Sequence, residues 1–477
     1  MKYNILTAAA AAFALMFCSC NSRPAVQQEE PDTEAMKNKV YSISMNKICN
    51  QWDGQWQGMA LASDGNCYFG SSTHAKNHGA GFHKFDPRPY KHTMLVEDMT
   101  YLCGEQDLPF QQGKIHSPIV ECDGWLYFCT HLSNYWKEGI EAYPGAHVFG
   151  YEMATGNFRD FGIVKERYSI YSAIAVDPVL KKLYVFSVPF VPELYKADGC
   201  HLMSIDIATG AKKDCGKVVD GRLGASFWFF VDKDSNVWFT LWKRNYSYEN
   251  DFGNLYCYNP SADNITTYDN VLPKGQLIDG TPVSEERNQQ RAWTWLSPFP
   301  GRDKCYFIQG TLGGGDERLW VFDPSKDIVS GAAFEPVAYI GSSYFETAVG
   351  GDRLYFCQYE DLEDARTIFS EDEREIDPDS PAYVDRKIHL RSISLTEGGL
   401  HREIKDHGAL IDQDGRQALM IMSMAADADG HVFVYGSWRP RSFKEATLQY
   451  LLFEYPNGDL YRLLKRGEFF AVVDTNK

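Results

Sequence analysis

A short phrase recurs seven times along this chain, and its spacing constrains the fold more tightly than composition does. A tight turn leads into an apolar strand, reading DGNCYFG from Asp64, DGWLYFCTH from Asp123, KKLYVFSVP from Lys181, SNVWFTLWK from Ser235, DKCYFIQG from Asp303, DRLYFCQY from Asp352 and DGHVFVYGSW from Asp429. After a variable loop a second strand follows and closes on an Asp/Asn-Pro or Thr-Gly turn. These second strands read GFHKFDP, GAHVFGYEMATG, GCHLMSIDIATG, GNLYCYNPSAD, ERLWVFDPSKD, RKIHLRSISLTEG and LQYLLFEYPNGD. Copies spaced by roughly fifty to eighty residues predict an all-β, seven-bladed β-propeller in which each copy is one four-stranded antiparallel blade. The alternating run VYSISM at 40–45 is expected to complete the last sheet, with residues 458–464 as that blade's own outer strand.

Radial repetition lets one domain absorb 477 residues that would otherwise suggest several. Aromatic residues make up 14% of the chain and recur inside the strands, as a radially packed all-β protein requires. The net charge of −17 excludes nucleic acid as a partner, because that affinity rests on basic side chains neutralising phosphates.

The first residues read as a targeting segment. Lys2 supplies a positive start, residues 5–17 an apolar stretch too short to span a bilayer with ease, and Phe17-Cys18-Ser19-Cys20 ends it. This pattern resembles the lipobox of bacterial lipoproteins, in the relaxed Ser-Cys form of Bacteroidetes. The resemblance implies a signal peptide over 1–20, lipidation of Cys20, and a cell-envelope, outer-membrane location facing periplasm or exterior, with the lipid as the membrane contact. A plain secretory signal is the competing reading. Residues 21–39, including QQEEPDTE, are polar and acidic and read as a flexible tether, leaving 40–477 for the propeller. A monomer is expected.

Ten cysteines remain after Cys18 and Cys20. Cys67 and Cys305 share one repeat position and Cys129 and Cys357 another, which marks these four as small buried hydrophobes. Export permits disulfides, with Cys103 and Cys122 a candidate pair. No CxxC or zinc-like spacing occurs. No cofactor is expected, and a metal stays an open alternative: His74, His78 and His83 offer imidazoles, though without helical spacing or a close carboxylate, and the acidic insert 360–385 is read as a solvated excursion that could also rim the pocket or bind calcium weakly, without a calcium-loop pattern.

In a propeller blade the strands run outward from the axis. The loops on one face are those that lead into the innermost strand and those that leave the second. The seven-fold phrase is the second strand, so its exit shares a face with each lead-in. Both early exits end in Thr-His and the lead-in to the second blade carries GKIHSP, so His74, His116 and His131 face one pocket, followed by Tyr171 and Arg222. A His, Tyr and Arg cluster without an obvious carboxylate pair suits proton abstraction beside a carboxylate-bearing carbon. Arg222, or Arg244 in its place, would neutralise the carboxylate, while His116 and His131 act as base and acid, Tyr171 is an alternate donor and His74 orients substrate. Each histidine equally fits a hydrogen-bonded structural role, and His83, His147 and His201 recur in three second-phrase strands as repeat-determined residues. Trp242, Trp293, Trp295 and Trp438, with Arg439, fall in the same loops and suit stacking on sugar rings, although tryptophan also packs between blades.

The run CGEQDLPFQQGKIHSPIVECDGWLYFCTH, followed by YPGAHVFGYEMATGNFRDFGI and IYSAIAVDPVLKKLYVFSVP, resembles a broad set of exported bacterial propellers over residues 103–216. In architecture and in its His/Tyr/Arg cluster the chain is similar to propeller polysaccharide lyases such as ulvan lyases, without their Asp-box repeats. The expected function is therefore an exported lipoprotein acting on an acidic oligo- or polysaccharide, as a uronate-cleaving lyase. The alternatives are a non-catalytic surface glycan-binding lipoprotein, a protein-interaction scaffold, and a glycoside hydrolase if Glu346 and Asp361 approach one another.

Overall fold

Every repeat needs a hairpin between its first and second strands, and the local sequence supplies the backbone conformation that such a hairpin demands. In the computed structural model each of the seven hairpins carries a residue at positive φ: Gly65, Asp123 with Gly124, Lys181, Ser235, Arg302, Gly351 and Gly430. The paired positive values at Asp123 (52°) and Gly124 (78°) match the twist of the flanking strands, which explains the recurrent Asp-Gly. Where the turn is longer an aspartate organises it. Asp232 Oδ1 accepts from the N–H groups of Asp234 and Asn236, and Asp427 Oδ1 from those of Asp429 and His431.

The structure describes residues 34–133, 140–191, 194, 197–221, 224–225, 229–242, 253–276, 281–282, 291–311, 318–341, 347–359, 387–438, 450–454, 460–464 and 467–477. Seven four-stranded antiparallel sheets form the propeller. The first blade is Met59–Leu61, Cys67–Ser71, Gly81–Asp86 and Lys91–Val96, and the second is Val120–Cys122, Trp125–Cys129, His147–Glu152 and Phe158–Ile163. The third comprises Tyr168–Asp177, Lys182–Pro189, Gly199–Asp206 and Lys212–Asp220. The fourth, fifth and sixth open on Phe230–Val231, Arg291–Pro298 and Thr347–Gly350. In all seven the repeated phrase is the second strand, as expected from the sequence.

The seventh blade departs from expectation in one respect. Its third strand is Gly467–Asp474, whereas Tyr450–Glu454 and Leu460–Leu464, expected to be strands of this sheet, pair with each other as a separate hairpin. The segment GEFFAVVD is buried from Glu468 through Asp474, so its burial won the place that the turn-bounded LQYLLFEYPNGD resembled only in wording. The expected closure by the N-terminal strand is present: Val40–Ser44 pairs antiparallel along Gly467–Asp474, from Val40↔Val473 to Ser44↔Phe469. Ser42 Oγ also donates to buried Asp412 Oδ2 at 2.7 Å, and Gln413 Nε2 donates to Ser42 O.

The core lies between blades, where second and third strands face their neighbours. The strand Cys67–Ser71 is buried throughout, while the fourth strand Lys91–Val96 is half-buried to exposed along its length. Phe69 stacks on Phe470 across the seam at 4.3 Å, and Phe82 on Phe128 between the first two blades at 4.5 Å. The cysteines at shared repeat positions, Cys67, Cys305, Cys129 and Cys357, are fully buried. Cys103 and Cys122 are free thiols, so the disulfide considered for them does not form: Cys122 lies near Lys181 Nζ, and Cys103 beside His147.

Third-strand histidines are held by a repeated clasp. His147, His201 and His389 each place Nδ1 within 2.9–3.0 Å of an Asp-x-Gly aspartate in the fourth strand, Asp160, Asp214 and Asp406. The same aspartates accept from the N–H of Gly162, Gly216 and Gly408. His83 instead meets His92, with 3.1 Å between ring nitrogens.

Candidate functional site

The lead-in to the first blade is QWDGQWQG, which has no preceding repeat to mark it. A bridge between Gly54 and Ser72 sets this lead-in beside the exit of the second strand, with Asp53 N–H donating to Ser72 O at 3.0 Å. Asp53 therefore lies opposite His74, and its Oδ1 sits 2.9 Å from His74 Nδ1 while Oδ2 accepts the His74 N–H at 3.2 Å. Both side chains are buried. In the second blade the equivalent bridge joins Lys114 to His131, and Gly113 lies so close to Ser133 that an added Cβ would meet its Cβ at 2.2 Å. Glycine is required there by close approach rather than by φ.

These bridges deliver the imidazoles to one place. His116 is stacked parallel to Trp56 (5.3 Å, 9°) and packs against Tyr171 on its other side (4.6 Å). His131 contacts His116 at 5.5 Å, Tyr171 at 5.2 Å and Phe190 at 5.1 Å, and the edge of His74 meets Trp56 at 5.3 Å. Buried Lys114 carries Nζ to 5.4 Å from the Trp56 ring centroid. Behind His131 a polar chain runs outward. Its Nδ1 lies 2.5 Å from Ser169 Oγ, which is 3.2 Å from the Tyr143 hydroxyl. Gln112 Oε1 accepts from Thr130 Oγ1 at 2.8 Å and lies 3.4 Å from Tyr143. Burial pushes the Tyr143 hydroxyl far up, so it remains protonated. Chemically the arrangement offers oriented imidazoles, one backed by a carboxylate, together with an aromatic wall and a buried ammonium.

Of the residues expected from sequence, His74, His116, His131 and Tyr171 come together. Trp438 does not join them. It is buried, stacked on Phe469 at 3.7 Å with Arg416 over its ring, so it packs the seventh blade rather than offering a free face. Trp242, Trp293 and Trp295 are placed by their backbones in strands Leu241–Trp242 and Arg291–Pro298, and their side chains lie outside the described residues, as do Arg222, Arg244, Arg439, Glu346, Asp361 and Cys20. Sequence reading missed Trp56 and Asp53, and passed over Gln112 and Lys114. The signal was the position of QWDGQWQG directly before the first blade's hairpin, equivalent to GKIHSP in the second.

No family model and no curated protein matches the chain. Among solved structures it is similar to an oligogalacturonate lyase in complex with manganese, at 11% identity over 90% of this chain and 92% of that one, with a TM-score of 0.46. It is also similar to an oligogalacturonate lyase from Vibrio parahaemolyticus, at 11% identity over 88% and 90% with a TM-score of 0.43. A GH74 enzyme from Niastella koreensis matches at 10% identity over 80% of this chain and 51% of its own, with a TM-score of 0.45. At these scores the likeness carries no argument about chemistry.

Proposed function

We propose that the axial cluster binds an acidic oligo- or polysaccharide and cleaves it by β-elimination at a uronate residue. The observation that carries this reading is the convergence of side chains from three successive blades: His74 and His116 on Trp56, and His131 and Tyr171 on His116. In such a step a base removes the proton beside the carboxylate, the electron pair forms the new C=C bond, and the glycosidic oxygen leaves with a proton from an acid. Asp53 at Nδ1 fixes the His74 ring and leaves Nε2 for a proton, which fits His74 as the base better than as an orienting group. His116, His131 and Tyr171 remain the candidates for the acid. Lys114 supplies positive charge near the substrate carboxylate, a role also open to Arg222 and Arg244.

One observation favours a second reading, a non-catalytic glycan-capture protein. His131 is 0% exposed, His116 4% and His74 6%, while Trp56 and Tyr171 are only half-buried, so the rings that a ligand meets first are aromatic. Export through a lipid anchor at Cys20 belongs to both readings.

The test is a panel of uronic-acid glycans, following the ultraviolet absorbance of an unsaturated uronate and binding on the same samples. Product that disappears in His74→Ala supports the lyase. Binding without product, lost in Trp56→Ala, replaces it with glycan capture, and neither signal removes acidic glycans as ligands.

A further inference from the structure

Away from the axis, one group of side chains brings three different metal-ligating chemistries together. Cys103 ends the helix Met99–Cys103, which Asp98 caps by accepting the Thr100 N–H at 2.8 Å. Gly104 follows in the left-handed region (φ 71°), and the Glu105 N–H donates to Thr100 O at 3.0 Å. This tight reversal, strained for any residue with a Cβ, puts Cys103 and Glu105 on either side of one point. His147, first in its strand, reaches the same point with Nε2 2.9 Å from Glu105 Oε1. The thiol sulfur, a carboxylate oxygen and an imidazole nitrogen all lie within 4.8 Å of one another, and no second group of three such donors meets that spacing among the described residues.

The surrounding shell orients two of the three donors. Asp160 holds His147 Nδ1 at 2.9 Å and so aims Nε2 at the cluster, the arrangement that fixes metal-bound histidines. Gln112 Nε2 donates to Glu105 Oε2 at 2.8 Å, leaving Oε1 for another partner. Glu105 and His147 are buried, whereas Cys103 is half-buried and gives an open side. The third blade provides an internal comparison. His201 has the same clasp to Asp214 and a second carboxylate, Asp198, which also accepts the Tyr168 hydroxyl, and that group does not meet the donor spacing of the second blade.

We propose that Cys103, Glu105 and His147 bind one zinc ion, with a fourth position open to water on the Cys103 side. A single carboxylate alongside thiolate and imidazole suits zinc over calcium or magnesium, which take oxygen donors. Tetrahedral zinc, with bonds of about 2.0–2.3 Å, sets its donors roughly 3.3–3.6 Å apart. The Glu105–His147 gap then opens by a few tenths of an ångström. Binding releases to solvent the thiol proton and the proton shared by His147 and Glu105. Because Gln112 holds Glu105 and also accepts from Thr130, next to His131, the ion would brace the segment that carries His116 to the axis.

The protein is treated with chelator, dialysed, and titrated with zinc chloride against a chromogenic chelator, and separately with cobalt chloride followed by absorbance. One equivalent of zinc, a raised melting temperature and a sulfur-to-cobalt charge-transfer band are expected. Cys103→Ala, at a half-exposed position, should stay folded by circular dichroism yet lose the band and bind zinc at least about 100-fold more weakly, whereas His201→Gln should bind as the parent does. Absence of stoichiometric binding, unchanged affinity in Cys103→Ala, or equal loss in His201→Gln overturns the proposal.

Discussion

Asp53 and His74, twenty-one residues apart, face each other across the inner hairpin of the first blade at 2.9 Å, both buried. A carboxylate in that position fixes the imidazole's tautomer and orientation. If the cluster abstracts a proton, Asp53→Asn is expected to lower kcat by roughly 10²–10⁴-fold with little change in KM, as measured by initial rates of unsaturated product. An Asp53→Asn rate equal to that of the parent would remove the pair from the mechanism.

Two tryptophans from the same face should respond in opposite ways. Trp438→Ala empties a buried site against Phe469 and is expected to cost about 3–5 kcal/mol of stability, read from denaturant midpoints, with glycan affinity unchanged. Trp56→Ala should weaken ligand binding about tenfold or more, read by calorimetry, while the midpoint moves little. A Trp438 variant that folds normally but no longer binds would restore that residue to the binding face.

Burial holds the imidazoles of His92 and His407 down at about 4, the latter helped by the nearby charges of Lys405, Arg353 and Lys39. Both are neutral in the folded chain, whereas the unfolded chain binds protons below about 6.5. Their stabilising contribution is thus complete above about pH 6.5 and is lost as the pH falls toward 4. With allowance for solvent screening this amounts to about 1–2 kcal/mol per ring. Melting temperatures recorded from pH 7 to 4 should fall, and His407→Gln should flatten the slope. Asp198 belongs to a lower window. Burial opposes its charge, but hydrogen bonds from His201 and Tyr168 hold it at about 2, so its contribution is lost only as the pH falls from about 4 through 2.

The ring seam should behave as core. Phe470→Ala removes the ring stacked on Phe69 and is expected to cost about 3–5 kcal/mol, and deleting residues 34–45 should lower the melting temperature of the whole protein in one transition. A deletion variant with unchanged melting would show that the N-terminal strand adds nothing to ring stability.

Much of this was legible because a propeller writes its fold into short-range text. Positive-φ turns and alternating apolar strands are local, so Asp123-Gly124 or Gly430 could be read without knowing any partner. The seventh blade failed for the complementary reason. Choosing GEFFAVVD over LQYLLFEYPNGD depends on burial against Phe433 and, hundreds of residues away, against Phe69, contacts that no local phrase records. His74, His116 and His131 were found through their repeat positions. Asp53 and Trp56 were passed over because their segment precedes the first copy, and Trp438 was misassigned because a loop position does not reveal that Phe469 covers its face.

Val40–Ser44 pairs with Gly467–Asp474, made hundreds of residues later, so the earlier strand finds its place only after most of the ring exists. Until Gly467–Asp474 emerges, that strand and Ala418–Ala426 with its neighbour leave a gap in the circle, and the hydrophobic flanks of the first and seventh blades stay wet. Loss of Gly467–Asp474 would thus yield not a slightly shortened protein but an open arc with two adhesive ends.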